Sequence, residues 1–368
     1  MNREDLMSSP VITIITAVFN GEQTIESTLK SVARQTYPNI EYIIVDGGST
    51  DRTMEIVERY ESSIAKMISE KDSGVYDAFN KGVRAATGDF VYFLNADDYL
   101  YNETTIERIA ATINESPEIN AIYGNILRVE PVFGIEQVYG REFNANDFIQ
   151  GYMPPHQALF VKREMFNRYG HFDLNYRSSS DFDFISKLYL NEKERMIYID
   201  ETIAVFRLGG LSTHYKTRII GMRETEQLIF KHFDRNVDLS ATEIRNNALF
   251  RHWLESILQE NKGITAGLKD RKIQRIAIFG TMNTAHYLLK DAKIEGIEVK
   301  AFIDNNKYMH DKEINGIRVV PTDWLSDNHS SIDAVIVSLE SNNDQFVIKD
   351  LENKYGKHLI VLSWKQLI

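Results

Sequence analysis

The chain has 368 residues, 43% of them hydrophobic and 26% charged, which is the composition of a globular protein long enough for two domains with separate cores. A formal charge of −11 argues against nucleic-acid binding by long-range attraction. The absence of cysteine excludes disulfides, thiolate metal sites and cysteine nucleophiles, so any metal must rest on Asp, Glu or His. Residues 1–10 are polar, with no apolar run behind a basic one, so neither a signal peptide nor a membrane-spanning helix is expected and the cytosol is the expected compartment.

Val11 to Val18 is an almost unbroken β-rich apolar run, the pattern of a parallel strand covered on both faces. Asn20 with Gln23 predicts a capping box, and Ile25, Leu29 and Val32 follow at helical spacing until Tyr37-Pro38. Glu41 to Val45 is a second strand, and Asp46 to Asp51 reads as a turn into a helix through Met54, Val57 and Tyr60. Ile68 to Lys71, Phe90 to Leu94 and Ala121 to Tyr123 are the next strands, and the alternation specifies a parallel sheet with helices on both faces. From about Thr217 to Lys272 helical periodicity takes over. There Leu249, Phe250, Trp253, Leu254, Ile257 and Leu258 make an apolar stripe suited to a neighbouring domain or a second subunit. A membrane surface is the alternative, because Lys262, Lys269, Arg271, Lys272 and Arg275 follow it. A new α/β unit starts at Ile273, with strands at Arg275 to Phe279 before Gly280, Val299 to Ile303 before Asp304, Ala334 to Leu339 and Leu359 to Leu362, and a helix at Ala285 to Lys290. It reads as a small Rossmann-like domain. The second and third glycines of a dinucleotide loop are missing from Thr281-Met282-Asn283-Thr284-Ala285, so a structural or assembly role is expected over NAD binding. The expected organisation is an α/β domain over 1–216, a helical connector over 217–272 and a Rossmann-like domain over 273–368.

Polar clusters close successive strands of the first half: Thr16 to Glu22, Asp46 to Asp51, Glu70 to Asp77 and Asn95 to Asp98. Loops at one edge of an open α/β sheet converge, so the four clusters are expected to share one site. Asp97 and Asp98, directly after an apolar strand, offer hard oxygens suited to Mg2+ or Mn2+ carrying a phosphorylated substrate. Each residue also has a plainer reading. The Asp-Asp pair suits an ordinary turn, Asp46 an Asp-Gly turn, Asp77 and Lys81 a surface pair one helical turn apart, and His156 and His214 structural histidines.

Taken together, Thr16-Ala17-Val18-Phe19-Asn20, the stretch from Val45 to Asp51, that from Glu70 to Gly82, and Asn95 to Asp98 resemble glycosyltransferase family 2 over about residues 10–215. The resemblance implies a GT-A fold, a nucleotide-diphospho-sugar donor, UDP-linked by expectation, and inverting transfer to a hydroxyl. By the same resemblance Thr16 and Glu22 border the nucleotide pocket, Asp46 accepts from the base, typically uracil, and Asp72 lies near the nucleotide and ribose, while Lys81 or Arg84 is the candidate to meet the diphosphate. The family's metal motif commonly reads Asp-x-Asp. Here Asn95 holds its first position, which leaves Asp97 as the preferred ligand with Asp98 supporting, and His214 beyond Gly209-Gly210-Leu211-Ser212 as a further candidate. The catalytic base is expected after Gly170-His171-Phe172-Asp173. That gives Asp181, with Asp183 as the alternative and Ser180 where an acid is more usual. His156 resembles a segment lining the acceptor side, able to meet a phosphate or an acceptor hydroxyl, and Arg207 is a second candidate for the diphosphate. The implied partners are a nucleotide-sugar donor and a saccharide or lipid-linked saccharide acceptor, met by peripheral contact at the inner face of a membrane, with a homo-oligomer a further candidate. Bacterial surface polysaccharide assembly is the implied setting. A sugar nucleotidyltransferase, a nicotinamide-dependent oxidoreductase and a non-catalytic nucleotide-sugar-binding protein are the rivals.

Overall fold

The computed structural model describes residues 9–130, 134–209, 215–341, 343–356 and 359–368. The chain forms two compact units, Met1–Val237 and Asp238–Ile368, and the helical segment over 217–272 is divided between them.

In the first unit the strands are β1 (Ile12–Val18), β2 (Ile40–Asp46), β3 (Lys66–Ser69), β4 (Phe90–Phe93), β5 (Tyr99–Leu100), β6 (Ala121–Glu130), β7 (Ile135–Tyr139), β8 (Leu159–Lys162) and β9 (Met196–Arg207). The helices are α1 (Ile25–Ala33), α2 (Thr53–Glu58), α3 (Val75–Ala85), α4 (Thr105–Glu115), α5 (Ala145–Ile149), α6 (Glu164–Tyr169), α7 (Ser180–Glu192) and α8 (Tyr215–Phe233). One sheet runs β3-β2-β1-β4-β8-β6-β9-β5, with β7 paired to β6. The β3-β2-β1-β4 half is parallel, as the apolar runs predict. Ile12, Ile14, Ile15, Ile43, Ile44 and Val45 have no solvent exposure, because helices cover both faces.

Register sets the site. Val18 pairs with Asp46 and Asp46 with Ser69, so the loops leaving β1, β2 and β3 emerge side by side. Strand β8 then runs antiparallel to β4, with Tyr92 opposite Phe160. Its beginning therefore lies where β4 ends, and the short turn His156–Ala158 joins the same edge. The pairing of Tyr99 with Val205 brings the end of β9 to the Asn95–Asp98 loop.

The predicted capping box of Asn20 and Gln23 does not form. Asn20 is left-handed, with φ 50°, and α1 starts at Ile25 after Thr24, without a side-chain cap. Asn20 is committed across the sheet edge instead: its N–H donates to Ser49 Oγ (2.8 Å) and its Oδ1 accepts from Thr50 N (2.9 Å).

The second unit contains α9 (Leu239–Glu255), α10 (Ala266–Asp270), β10 (Arg275–Phe279), α11 (Asn283–Ile294), β11 (Glu298–Ile303), β12 (Glu313–Ile314), β13 (Ile317–Val320), α12 (Trp324–Asn328), β14 (Ala334–Val337), α13 (Asp344–Tyr355) and β15 (Ile360–Ser363). Its sheet order is β12-β13-β11-β10-β14-β15, and the five strands from β13 to β15 are parallel. This is the doubly wound arrangement expected of a Rossmann-like unit. A cavity of about 530 Å³ opens beside Asp304, Thr322 and Phe346, beyond the ends of β11 and β13. The apolar stripe of α9 belongs to this unit's own core: Trp253 is buried, while Leu249, Phe250 and Ile257 pack against it, and the Phe250 ring stacks on Trp364 at 4.6 Å. Leu254 and Leu258 remain exposed.

Buried Asp291 of α11 fastens α9 and the following turn. It accepts from Trp253 Nε1 (2.6 Å), Ile264 N (2.9 Å) and Thr265 N (2.9 Å). Gly263 permits that approach, since a Cβ there would stand 2.5 Å from Asp291 Oδ1. Asp291→Ala strands these donors in the core and is expected to cost about 3 kcal/mol or more, at about 1–3 kcal/mol per orphaned group. A fall in the urea midpoint of tryptophan fluorescence checks this, because Trp253, Trp324 and Trp364, the chain's three tryptophans, all lie in this unit. An unchanged midpoint would refute the assignment.

Candidate functional site

A cavity of about 470 Å³ lies at the shared edge of the first unit. Of the residues singled out from sequence, Asp72, Asn95, Asp97, His156 and Asp181 line it. Thr16, Glu22, Asp46, Lys81, Asp98 and Arg207 are not among its lining residues, and His214 lies outside the described residues.

The acids set back from the cavity bind backbone and build its wall. Asp46 is fully buried and accepts from Ser49 N (3.0 Å), Gly48 N (3.2 Å) and Ser69 Oγ (2.7 Å). Glu22 Oε2 accepts from Arg52 N (3.1 Å), and Asp51 Oδ2 from Glu22 N (3.1 Å), so the loops after β1 and β2 are tied reciprocally. The Thr16 hydroxyl pairs with Tyr42 OH at 3.1 Å. Lys81 fastens the β3–α3 loop through Glu70 (3.0 Å) and the Lys71 carbonyl (3.0 Å). Asp72 reaches the cavity because residue 47 is glycine: a Cβ there would stand 2.6 Å from Asp72 Oδ2.

The Asn95–Asp98 turn splits its two acids. Asp98 is buried, with Oδ1 accepting from Arg207 N (3.1 Å) and Oδ2 from Asn95 Nδ2 (3.4 Å). Burial, then the neighbouring Asp97 charge, pushes the Asp98 carboxyl well above the ordinary carboxylate range. Burial also raises Asp97, against the opposing fields of Arg207 and His156. Apart from its own backbone N–H, no group among the described residues hydrogen-bonds or pairs with the Asp97 side chain, so it is the acid of this turn left open to a ligand. Arg207 is occupied elsewhere: its guanidinium lies 3.3 Å from Ser27 Oγ and over the Tyr99 ring.

Asp181 stands in the first turn of α7. Its Oδ1 accepts from Tyr76 OH (2.8 Å) and Phe182 N (2.9 Å), and its Oδ2 lies 3.1 Å from His156 Nδ1. Burial and the Asp181 charge push the Tyr76 phenol well above its ordinary value, so it remains a donor. The Gly170–Asp173 segment positions this helix: Phe172 packs on Tyr76 and Phe79, and its backbone is clamped by Asn80 at both N–H (2.9 Å) and carbonyl (2.8 Å). Asp183 is a different kind of residue. It is buried beside Lys187, Lys231 (2.9 Å) and His232 (2.7 Å), tying α7 to α8, and it does not line the cavity.

Sequence reading missed Tyr76 and Arg177. Tyr76 sits inside the Glu70–Gly82 motif, but its direction was not readable. Arg177 lines the cavity, its backbone N–H donating to Glu224 of α8 (2.8 Å), and no partner engages its guanidinium among the described residues.

The family model described as "Glycosyl transferase family 2" matches residues 13–181, and one described as "C2185-like, N-terminal" matches residues 272–356. The PGL/p-HBAD biosynthesis glycosyltransferase of Mycobacterium tuberculosis is 34% identical over 210 residues, which are 56% of this chain and 80% of that protein. An uncharacterized glycosyltransferase of Haemophilus influenzae is 26% identical over 250 residues, 64% of this chain and 83% of its own length. The S. aureus TarS structure superposes with a TM-score of 0.47 at 22% identity, covering 63% of this chain and 44% of that one.

Burial alone would raise Asp183, but hydrogen bonds from His232, Lys187 and Lys231 outweigh it and hold the carboxyl below its ordinary range. A carboxyl depressed in the folded state adds stability that is complete above its unfolded value, about 3.9, and is lost as pH falls below that. Asp183→Asn is expected to lose about 1.5–3 kcal/mol at neutral pH. The gap from wild type should close as pH drops below about 4. Urea unfolding followed by far-UV circular dichroism across that range checks both.

Proposed function

Because this chain belongs to glycosyl transferase family 2, and is a glycosyltransferase, we propose that it moves a sugar from a nucleoside-diphosphate donor, uridine-linked by family resemblance, to an acceptor hydroxyl with inversion. One observation carries the reading: a carboxylate (Asp97) and a guanidinium (Arg177) that no other side chain engages among the described residues, and a carboxylate held by donors on both oxygens (Asp181), line the same cavity. The first two suit a diphosphate and its cation. The third suits a base.

In this reading Asp181 takes the acceptor's hydroxyl proton while the acceptor oxygen bonds to the anomeric carbon and the diphosphate leaves with the electron pair. Carboxylate basicity suffices because the transition state has oxocarbenium character and proton transfer is late. Arg177 compensates charge on the departing diphosphate. Asp72, beside the loops after β1 and β2, faces the nucleoside. Asp46 and Glu22 act from behind, by fixing those loops.

A divalent ion fits this donor set in a limited way. Among the described residues no three acids or histidines gather around a point, so Asp97 would hold Mg2+ or Mn2+ with the donor's phosphates, and Asp98 would support it electrostatically. Such shared coordination is usual for Mg2+. A cation held there would offset the like-charge contact of Asp97 with Asp98. When bound, the ion would neutralise charge on the leaving diphosphate.

The acceptor class we favour is a saccharide or lipid-linked saccharide of bacterial surface polysaccharide assembly. The name of the mycobacterial relative, which places that protein in PGL/p-HBAD biosynthesis, is in keeping with it. Among the described residues no helix is long and apolar enough to cross a membrane, so such an acceptor would be met by peripheral contact, at the cytoplasmic face.

Incubation with a panel of nucleotide sugars should release free nucleoside diphosphate from at least one. Asp181→Asn should cut that turnover by about 10³-fold or more while leaving donor affinity within about threefold. Near wild-type turnover in the variant would remove Asp181 as base. Chelation with EDTA should suppress turnover and restored Mg2+ or Mn2+ should recover it; a rate indifferent to chelator would discard the metal.

A further inference from the structure

We propose that Asn95 and His156 are positioning residues that leave Asp181 one open lone pair, on Oδ2, for the acceptor's proton; this inference rests on the transferase reading above. Carboxylate oxygens each offer about two acceptor sites. Tyr76 OH and Phe182 N fill those of Oδ1. His156 Nδ1, 3.1 Å away, takes one of Oδ2's, and Asp181 keeps a single site facing the cavity.

That count requires His156 to carry its ring proton on Nδ1, and Asn95 supplies the reason. The Asn95 amide nitrogen lies 3.3 Å from His156 Nε2 and 3.4 Å from Asp98 Oδ2. An amide nitrogen can only donate, and this one has two hydrogens, one within reach of Asp98 Oδ2 and one within reach of His156. Nε2 therefore accepts, and the proton stands on Nδ1, since the partner of one ring nitrogen sets the state of the other. An aspartate at 95 has no hydrogen to give. The ring would then either lose a partner or carry two protons, and Asp181 would face an altered donor. Asn95 thereby supplies a fixed hydrogen-bond direction behind the base, which a carboxylate at 95 lacks the hydrogen to give.

The test compares wild type with Asn95→Asp, His156→Ala and His156→Gln on the nucleotide sugar the wild type turns over, with saturating Mn2+. Asn95→Asp and His156→Ala should lower kcat about 10–100-fold, the range usual for residues that orient a functional group, with donor KM within about threefold. His156→Gln, whose amide can still donate to Asp181, should recover part of the loss. Independently of turnover, ¹⁵N imidazole NMR, with His156 identified by its loss in the alanine variant, should show the Nδ1–H tautomer in wild type and its loss in Asn95→Asp. An Nε2–H tautomer in wild type, or unchanged kcat in both variants, would overturn the proposal. Absence of nucleoside diphosphate release by wild type, with the Nδ1–H tautomer present, would overturn the transferase reading instead.

Discussion

The architecture of the first unit depends on carboxylates that receive backbone N–H groups across the sheet edge. A loop leaving a parallel strand has peptide groups that the ladder no longer satisfies, and each must find a partner or remain hydrated. Glu22 and Asp51 accept from each other's loops and Asp46 accepts within its own, so the turns after β1 and β2 are tied together. Asp98 does the same for the end of β9. With the wall fixed, Asp72, Asp97 and Asp181 are free to face the cavity.

This division explains what was readable in the sequence. Unbroken apolar runs such as Val11 to Val18 and Glu41 to Val45 disclosed the parallel strands, because burial on both faces leaves no alternation to confuse the pattern. Polar clusters at strand ends pointed to one edge of the sheet, and residues of three of the four line the cavity there, those of Asp46 to Asp51 standing behind it. Which acid faces inward was not readable. Asp46 and Asp72 look alike in sequence, and their orientation is decided by Ser69 and Gly47, one reached through strand register and the other through the absence of a side chain. Asn20 misled for the same reason: a capping pattern three residues long lost to contacts with Ser49 and Thr50, thirty positions away. Arg177 carried no motif at all. Its place follows from Glu224, which holds its backbone from a helix beyond the recognised motifs.

In the second unit, periodicity disclosed the helix and its apolar face but not what covers that face. Trp253 turns inward because Asp291, itself buried, accepts its indole N–H. A tryptophan needs such a partner when it leaves water, and no spacing rule identifies an aspartate 38 residues away as that partner. The second and third glycines of a dinucleotide loop are missing after Gly280, yet the doubly wound strand order forms without them.

The reversal of chain direction between β4 and β8 has a wider consequence. Strands β1, β3 and β4 contribute their exits to the cavity, whereas β8 contributes its entrance, so the two rims are drawn from separate stretches of polypeptide. The stretch from Gly140 to Pro155 pairs with no strand of the sheet and reaches the cavity only through His156. One rim can thus diversify while the other stays constant, a modular arrangement by which a single scaffold could serve many acceptors from one kind of activated sugar.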